Sequence, residues 1–202
     1  HLKNNLKSNY EFIKYMIKKG TNDILITGTC LEYGKYNGKL YSNQKTFPEI
    51  PYAKAKDILR KKIQNLKNKK KISFKWARLF YIFGKGQNKR SLIPDLENTI
   101  KQKKRIFKMS KGDQIRDYLP IEKVVEQLFE LFLKKESGIF NICSGKPLSI
   151  RKLLEDRIKE KKSSIALNLG YYPYKEYEPF AFWGKRNIPG KHPSNGLDQN
   201  TY

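Results

Sequence analysis

The chain has 202 residues, with 43 Lys and Arg against 19 Asp and Glu, for a net charge of +24. At 38% hydrophobic and 13% aromatic residues it is long and apolar enough to bury one domain's core, which excludes a disordered chain. The charge is mostly scattered lysine, densest at 67–71 and 101–105 where helices would end, so it reads as a solvated surface in preference to a nucleic-acid footprint. Residues 6–19 place Leu6, Tyr10, Ile13 and Ile17 at helical spacing, and Gly20 ends the pattern. Residues 24–26 are a short buried-type strand, and 34–51, rich in Gly, Asn, Ser and Pro, form a loop. Residues 52–66 predict a helix with Ile58, Leu59, Ile63 and Leu66 on one side. Residues 72–83 are aromatic and branched and predict a single strand.

Beyond these, 92–103 predicts a helix and 106–109 a strand. Residues 121–134 predict another helix, on the spacing of Val124, Val125, Leu128, Phe129 and Phe132. A strand at 138–142 leads into the turn Ser144-Gly145, and Ser149 looks like the N-cap of a helix through Lys159. Helix and strand alternate to about residue 160, which argues for an α/β fold with a largely parallel sheet. After Asn168 the chain turns aromatic and rich in Pro and Gly; residues 191–202 have no periodicity and predict an unstructured tail. Cys30 and Cys143 are too few for a disulfide framework or a zinc set, and His1 and His192 suggest no metal site. No run of 18 apolar residues and no signal peptide is present, so no membrane span is expected and the expected location is cytoplasmic.

The chemistry concentrates in TGTCLEYG (27–34) and PYAKAK (51–56). Four residues apart on a helix, Tyr52 and Lys56 share a face. A neighbouring ammonium favours the phenolate, so the pair predicts a Tyr52 phenol lowered from its usual value near 10. Such a phenol can take or return the proton of a sugar hydroxyl or carbonyl while hydride is transferred. The Thr29 hydroxyl, on the turn after a strand, can hydrogen-bond the same oxygen. That turn is the ligand-binding edge of an α/β sheet.

In order, TGTCLEYG, YAKAK, RLFYIFGKGQ (78–87), RDYLPIEKVVE (116–126) and GIFNICSGKPLSIRKL (138–153) resemble the extended short-chain dehydrogenases/reductases, the NAD-dependent epimerase/dehydratase family acting on nucleotide sugars. The resemblance runs over roughly 1–190. It implies an incomplete Rossmann-like parallel sheet with a small C-terminal substrate-binding portion. Residues 1–88 would be the later part of the NAD(P)-binding domain, 89–190 a mixed remainder with substrate-binding segments, and 138–153 a strand-turn-helix of the substrate side. It further implies Tyr52 as acid/base, Lys56 on the nicotinamide ribose, Thr29 on the C4 oxygen, Phe80 near the nicotinamide, and Arg116 on the diphosphate. Phe80 reads equally as plain core, and Arg116 as the partner of Asp117 or Asp113. The cofactor implied is NAD or NADP, the partner a nucleotide-sugar substrate, and a homodimer through the helices at 6–19 and 52–66 is suggested.

Two departures refine the expectation. The family's 4,6-dehydratases carry an Asp-Glu pair after the Thr; here stand Cys30 and Leu31, which cannot do that acid/base work. Glu32 follows, and in an extended segment it would point away from position 31. This leaves 4-epimerisation or 4-keto reduction. Second, the Gly-rich dinucleotide loop and the later acidic residue are not in this sequence; Gly84-Lys85-Gly86 lacks the third glycine and follows the wrong strand. The expectation is a piece of such an enzyme, inactive alone. A basic RNA- or anion-binding module, or the remnant of a truncated gene, are the alternatives.

Overall fold

A computed structural model describes residues 6–69, 72–174 and 178–188; the predicted tail at 191–202 and both histidines lie outside them. The chain opens with α1 (Lys7–Lys18), β1 (Asp23–Thr29), a 3-10 turn (Cys30–Tyr33), β2 (Gly38–Leu40) and α2 (Pro51–Lys69). Next come β3 (Ser73–Leu79), β4 (Tyr81–Phe83), α3 (Leu92–Lys101), β5 (Ile106–Lys108), β6 (Ile115–Arg116), β7 (Tyr118–Pro120) and α4 (Ile121–Phe132). The last elements are β8 (Gly138–Ile142), β9 (Leu148–Ser149), α5 (Ile150–Glu160), β10 (Ala166–Asn168) and β11 (Phe182–Gly184). The Ser149 hydroxyl does cap α5, accepting from the Lys152 amide at 3.1 Å.

The main sheet is parallel in the order β1-β3-β8. Helices lie on both sides of it, as strands buried on both faces require. Side-chain alternation in β3 separates the two cores. Phe74 and Trp76 meet Ile13 and Ile17 of α1 and Leu59 and Ile63 of α2. Ala77 and Leu79 meet Val124 and Leu131 of α4 with Phe140 and Ile142 of β8. Each fully buried side chain of this size stabilises by about 1.5–3 kcal/mol. β8, read from sequence as part of the substrate side, is instead the third strand of this sheet.

The run read as one strand at 72–83 is two. β3 follows β8 as far as Leu79, and the Phe80 amide still reaches Ile142 O at 3.1 Å. The Tyr81 amide then turns to Asp117 O, and β4 pairs with β7 instead. The loop read at 34–51 holds β2, which pairs in parallel with β11 across the chain's far end. Gly34 makes that loop close: it sits at φ 81°, and a Cβ there would lie 2.1 Å from Phe47 O. Among the described residues no helix is long and apolar enough to cross a membrane.

Candidate active site

The C-terminal end of β1 carries the first site residue. Thr29 ends the strand in extended conformation and caps the 3-10 turn, its hydroxyl accepting from the Leu31 amide at 3.3 Å. Its own amide donates to Glu32 Oε1 at 2.9 Å, closing a capping box. The segment after Thr29 is therefore a tight turn, not extended chain. It sends Glu32 into the interior, fully buried, and away from the surface that a dehydratase acid would need.

The start of α2 is fixed against the same strand. Lys56 Nζ donates to the Thr27 carbonyl at 2.8 Å, and Tyr52 stands one turn earlier, 37% exposed. Sequence reasoning predicted a lowered Tyr52; in the chain itself burial dominates. Partial burial pushes the phenol above its usual value, and Glu32 and Cys30 push it the same way. Burial likewise depresses the Lys56 ammonium, with Glu32 opposing. The pair is thus held toward its neutral forms, and a further positive charge is what the phenol needs to ionise.

Phe80 is buried at 4% exposure in a cluster with Cys30, Tyr33, Leu40, Cys143 and Phe182, its ring 6.2 Å from that of Phe182. It lies in the core that includes Cys30, next to Thr29. Arg116 is fully buried between the rings of Tyr81 and Phe182. Its Nη1 donates to Ile115 O and Phe180 O, and its Nη2 to Glu178 Oε2 at 2.8 Å. Its carboxylate partner is Glu178, and neither of the two aspartates the sequence suggested. Asp113 instead accepts from the Tyr174 hydroxyl, and Asp117 holds the turn after β8.

Arg116 and Glu178 line a cavity of about 640 Å³ between β4, the start of α3, β5 and residues 172–174. Tyr81, Arg90 and Lys108 also line it, so it offers rings and cations together. Thr29, Tyr52 and Lys56 lie outside its walls. The buried Cys30 thiol, beside Thr29, is raised by burial and by the charges of Glu32, Asp117 and Glu178, while Arg116 opposes.

Sequence reasoning missed the polar cluster behind Thr29. Glu32 receives Trp76 Nε1 at 3.0 Å and Arg78 Nε at 2.9 Å, and Arg60 Nε stands 3.8 Å away. The signal for it was Arg78 inside the otherwise apolar strand run WARLF.

The fold is that of an α/β protein with a parallel sheet, in which Thr29 ends one strand and Tyr52 and Lys56 stand at the start of the helix seated on that strand. The chain belongs to the NAD dependent epimerase/dehydratase family, whose model matches residues 1–143. It is 30% identical over 184 residues to the dTDP-6-deoxy-L-talose 4-dehydrogenase (NAD(+)) of Aggregatibacter actinomycetemcomitans, covering 91% of this chain and 68% of that protein. Its fold is similar to UDP-N-acetylglucosamine 4-epimerase from Methanobrevibacter ruminantium M1, solved with UDP-N-acetylmuramic acid. That match has TM-score 0.79 at 19% identity, over 88% of this chain and 59% of that one. It is also similar to UDP-glucuronic acid 4-epimerase from Bacillus cereus, solved with UDP-glucuronic acid and NAD. Here the TM-score is 0.81 at 17% identity, over 92% of this chain and 59% of that one. The chain thus spans about three fifths of the length of these two structures.

Proposed function

We propose that this chain carries the acid/base half of an NAD(P)-dependent enzyme that epimerises or reduces a nucleotide-activated sugar at C4. The observation that carries the reading is the Lys56–Thr27 O bond, which seats the start of α2 on the strand that ends in Thr29. Tyr52 holds or releases the proton of the sugar oxygen, and Thr29 orients that oxygen. The residues fit the nicotinamide end of the cofactor: a depressed ammonium and a raised phenol, one helical turn apart, are suited to a ribose and a cationic ring. The bound nicotinamide supplies hydride acceptance and donation. Phe80 packs with Cys30 and Tyr33 of the turn after Thr29 and would support the nicotinamide side of the site from the core. Arg116 serves the diphosphate, reaching it from the cavity it lines once Glu178 yields. The 4-dehydrogenase relative supports the position of oxidation on the sugar.

The isolated chain is expected to bind NAD(P) very weakly, because β1 is the outer strand of the sheet among the described residues and the sequence holds no Gly-rich loop. Isothermal titration tests that directly, and tight binding would contradict it. For chemistry, the chain is fused behind the first third of the Aggregatibacter relative, and absorbance at 340 nm is followed with dTDP- and UDP-sugars. Without loss of water from the sugar, either the C4 epimer forms with no net change at 340 nm, or a 4-keto sugar is reduced as NAD(P)H is oxidised one for one; a 4-keto-6-deoxy product formed by dehydration would reverse the assignment.

The same reading carries a homodimer through α1 and α2, where Phe12, Tyr15, Met16 and Ile58 are exposed. Sedimentation should show a dimer that Phe12→Asp dissociates. A monomeric wild type at micromolar concentration would remove the proposal.

A further inference from the structure

We propose that Glu32 is a positioning residue: its buried carboxylate fixes the turn that presents Thr29 against both β3 and α2, and so sets how Thr29 faces Tyr52 and Lys56. The proposal rests on the reading of Tyr52 as the acid/base group.

Glu32 has no exposed surface. Its Oε1 accepts from the Thr29 amide at 2.9 Å and from Trp76 Nε1 at 3.0 Å. Its Oε2 accepts from Arg78 Nε at 2.9 Å and from Trp76 Nε1 at 3.1 Å. Every one of these partners donates and so favours the ionised form, against burial, which raises the carboxyl above its usual range. Arg60, on α2 one turn beyond Lys56, brings its Nε to 3.8 Å. One carboxylate thereby touches the residue that orients substrate, the neighbouring strand, and the helix that carries the Tyr and Lys.

The backbone makes room for it. A Cβ at Gly28 would lie 2.4 Å from Glu32 Oε1 and 2.2 Å from Trp76 Nε1, so TGTCLEYG couples its first glycine to its glutamate. Stability is a weak reason for such a cluster. Burying a carboxylate with guanidiniums costs desolvation that their attraction only about repays, and apolar residues of like size would serve as well. What the charged arrangement adds is a fixed direction for each donor, the Thr29 amide included.

The charged and titratable groups that face Glu32 are Arg78 from β3, Arg60, Tyr52 and Lys56 from α2, and Cys30 and Tyr33 from its own turn. Its negative charge raises the Tyr52 phenol, so removing it shifts that phenol down.

The test uses the full chain without cofactor, by NMR with 15N amides and 13C at the tyrosine ζ carbon, Tyr52 being assigned from Tyr52→Phe. Glu32→Gln is compared with the double variant Glu32→Leu/Arg78→Met, which replaces the pair by apolar side chains. In both, the Thr29 amide should lose about tenfold of its protection from hydrogen exchange, and Tyr52 should titrate at lower pH. The double variant should also regain the wild-type melting temperature while the amide shifts of 27–33 and 52–56 stay displaced from wild type. A double variant with wild-type Thr29 protection and wild-type amide shifts at 27–33 and 52–56 would show that Glu32 does not position Thr29 and would overturn the proposal. Should Glu32→Gln not fold, the double variant decides alone. A Tyr52→Phe fusion with full turnover would instead defeat the acid/base reading, leaving the Thr29 exchange result to stand by itself.

Discussion

Tyr52→Phe, placed in the fused enzyme, should lower turnover by about 10²–10⁴-fold, the usual worth of a positioned acid/base group. It should leave folding stability within about 1 kcal/mol, because the ring is retained and the hydroxyl belongs to a residue more than a third exposed. The two numbers together separate chemistry from packing. The pH dependence adds a sign. In the direction that oxidises the sugar, the phenol must accept a proton, so the rate rises with pH as Tyr52 ionises. Burial, Glu32 and Cys30 all raise the phenol, which places that rise above the usual tyrosine range until a cation arrives beside it. A bound oxidised nicotinamide is such a cation and should draw the rise toward neutral pH. Glu32→Gln should move it further the same way. Turnover of Tyr52→Phe within threefold of wild type, measured as sugar product formed at saturating substrate, would remove Tyr52 from the chemistry.

The helices and long strands were legible because their signals are local. Ile13 and Ile17 in α1, and Leu59 and Ile63 in α2, stand at helical spacing and are the residues that meet the sheet. β2, β6, β9 and β11 were not legible. They are two or three residues long, and β2 exists only because residues 182–184 pair with it from far along the chain. The division of β3 from β4 was hidden for the same reason. Nothing in ARLFYIF marks the point at which the partner changes from β8 to β7. The placement of Tyr52 and Lys56 followed from a four-residue spacing, but their proton affinities did not. Spacing gives the sign of one pair interaction, whereas burial, which dominates here, is a property of the folded site. Arg116 shows the limit most plainly. Two aspartates stand close to it in sequence, yet its partner is Glu178, brought in by the residues that lead into β11.

Asp117→Ala is expected to destabilise the fold by about 3–5 kcal/mol, against a total of about 5–15 kcal/mol for a domain of ordinary stability. The side chain is fully buried between β6 and β7. Its Oδ1 accepts from the Ser144 amide at 2.7 Å and the Ser144 hydroxyl at 2.6 Å. Its Oδ2 accepts from the amides of Gly145 at 2.9 Å and Gly184 at 3.1 Å. One carboxylate thus ties the turn after β8 and the end of β11 to the strand pair that carries Arg116. Alanine would leave those backbone donors facing a void, and each buried donor without a partner costs about 1–3 kcal/mol. Water cannot readily take the place of the carboxylate at Gly184, whose backbone is packed so closely that a Cβ there would lie 2.5 Å from Cys143 Sγ. Asp117→Asn keeps the size but offers one acceptor where two are used, so its loss should be smaller and still clear. Urea unfolding monitored by tryptophan fluorescence reads both variants. Because β11 also holds β2, the alanine variant should lose protection at Gly38–Leu40, far from residue 117 in sequence. An alanine variant within 1 kcal/mol of wild type, with β2 still protected, would mean that the turn after β8 is held by the sheet alone.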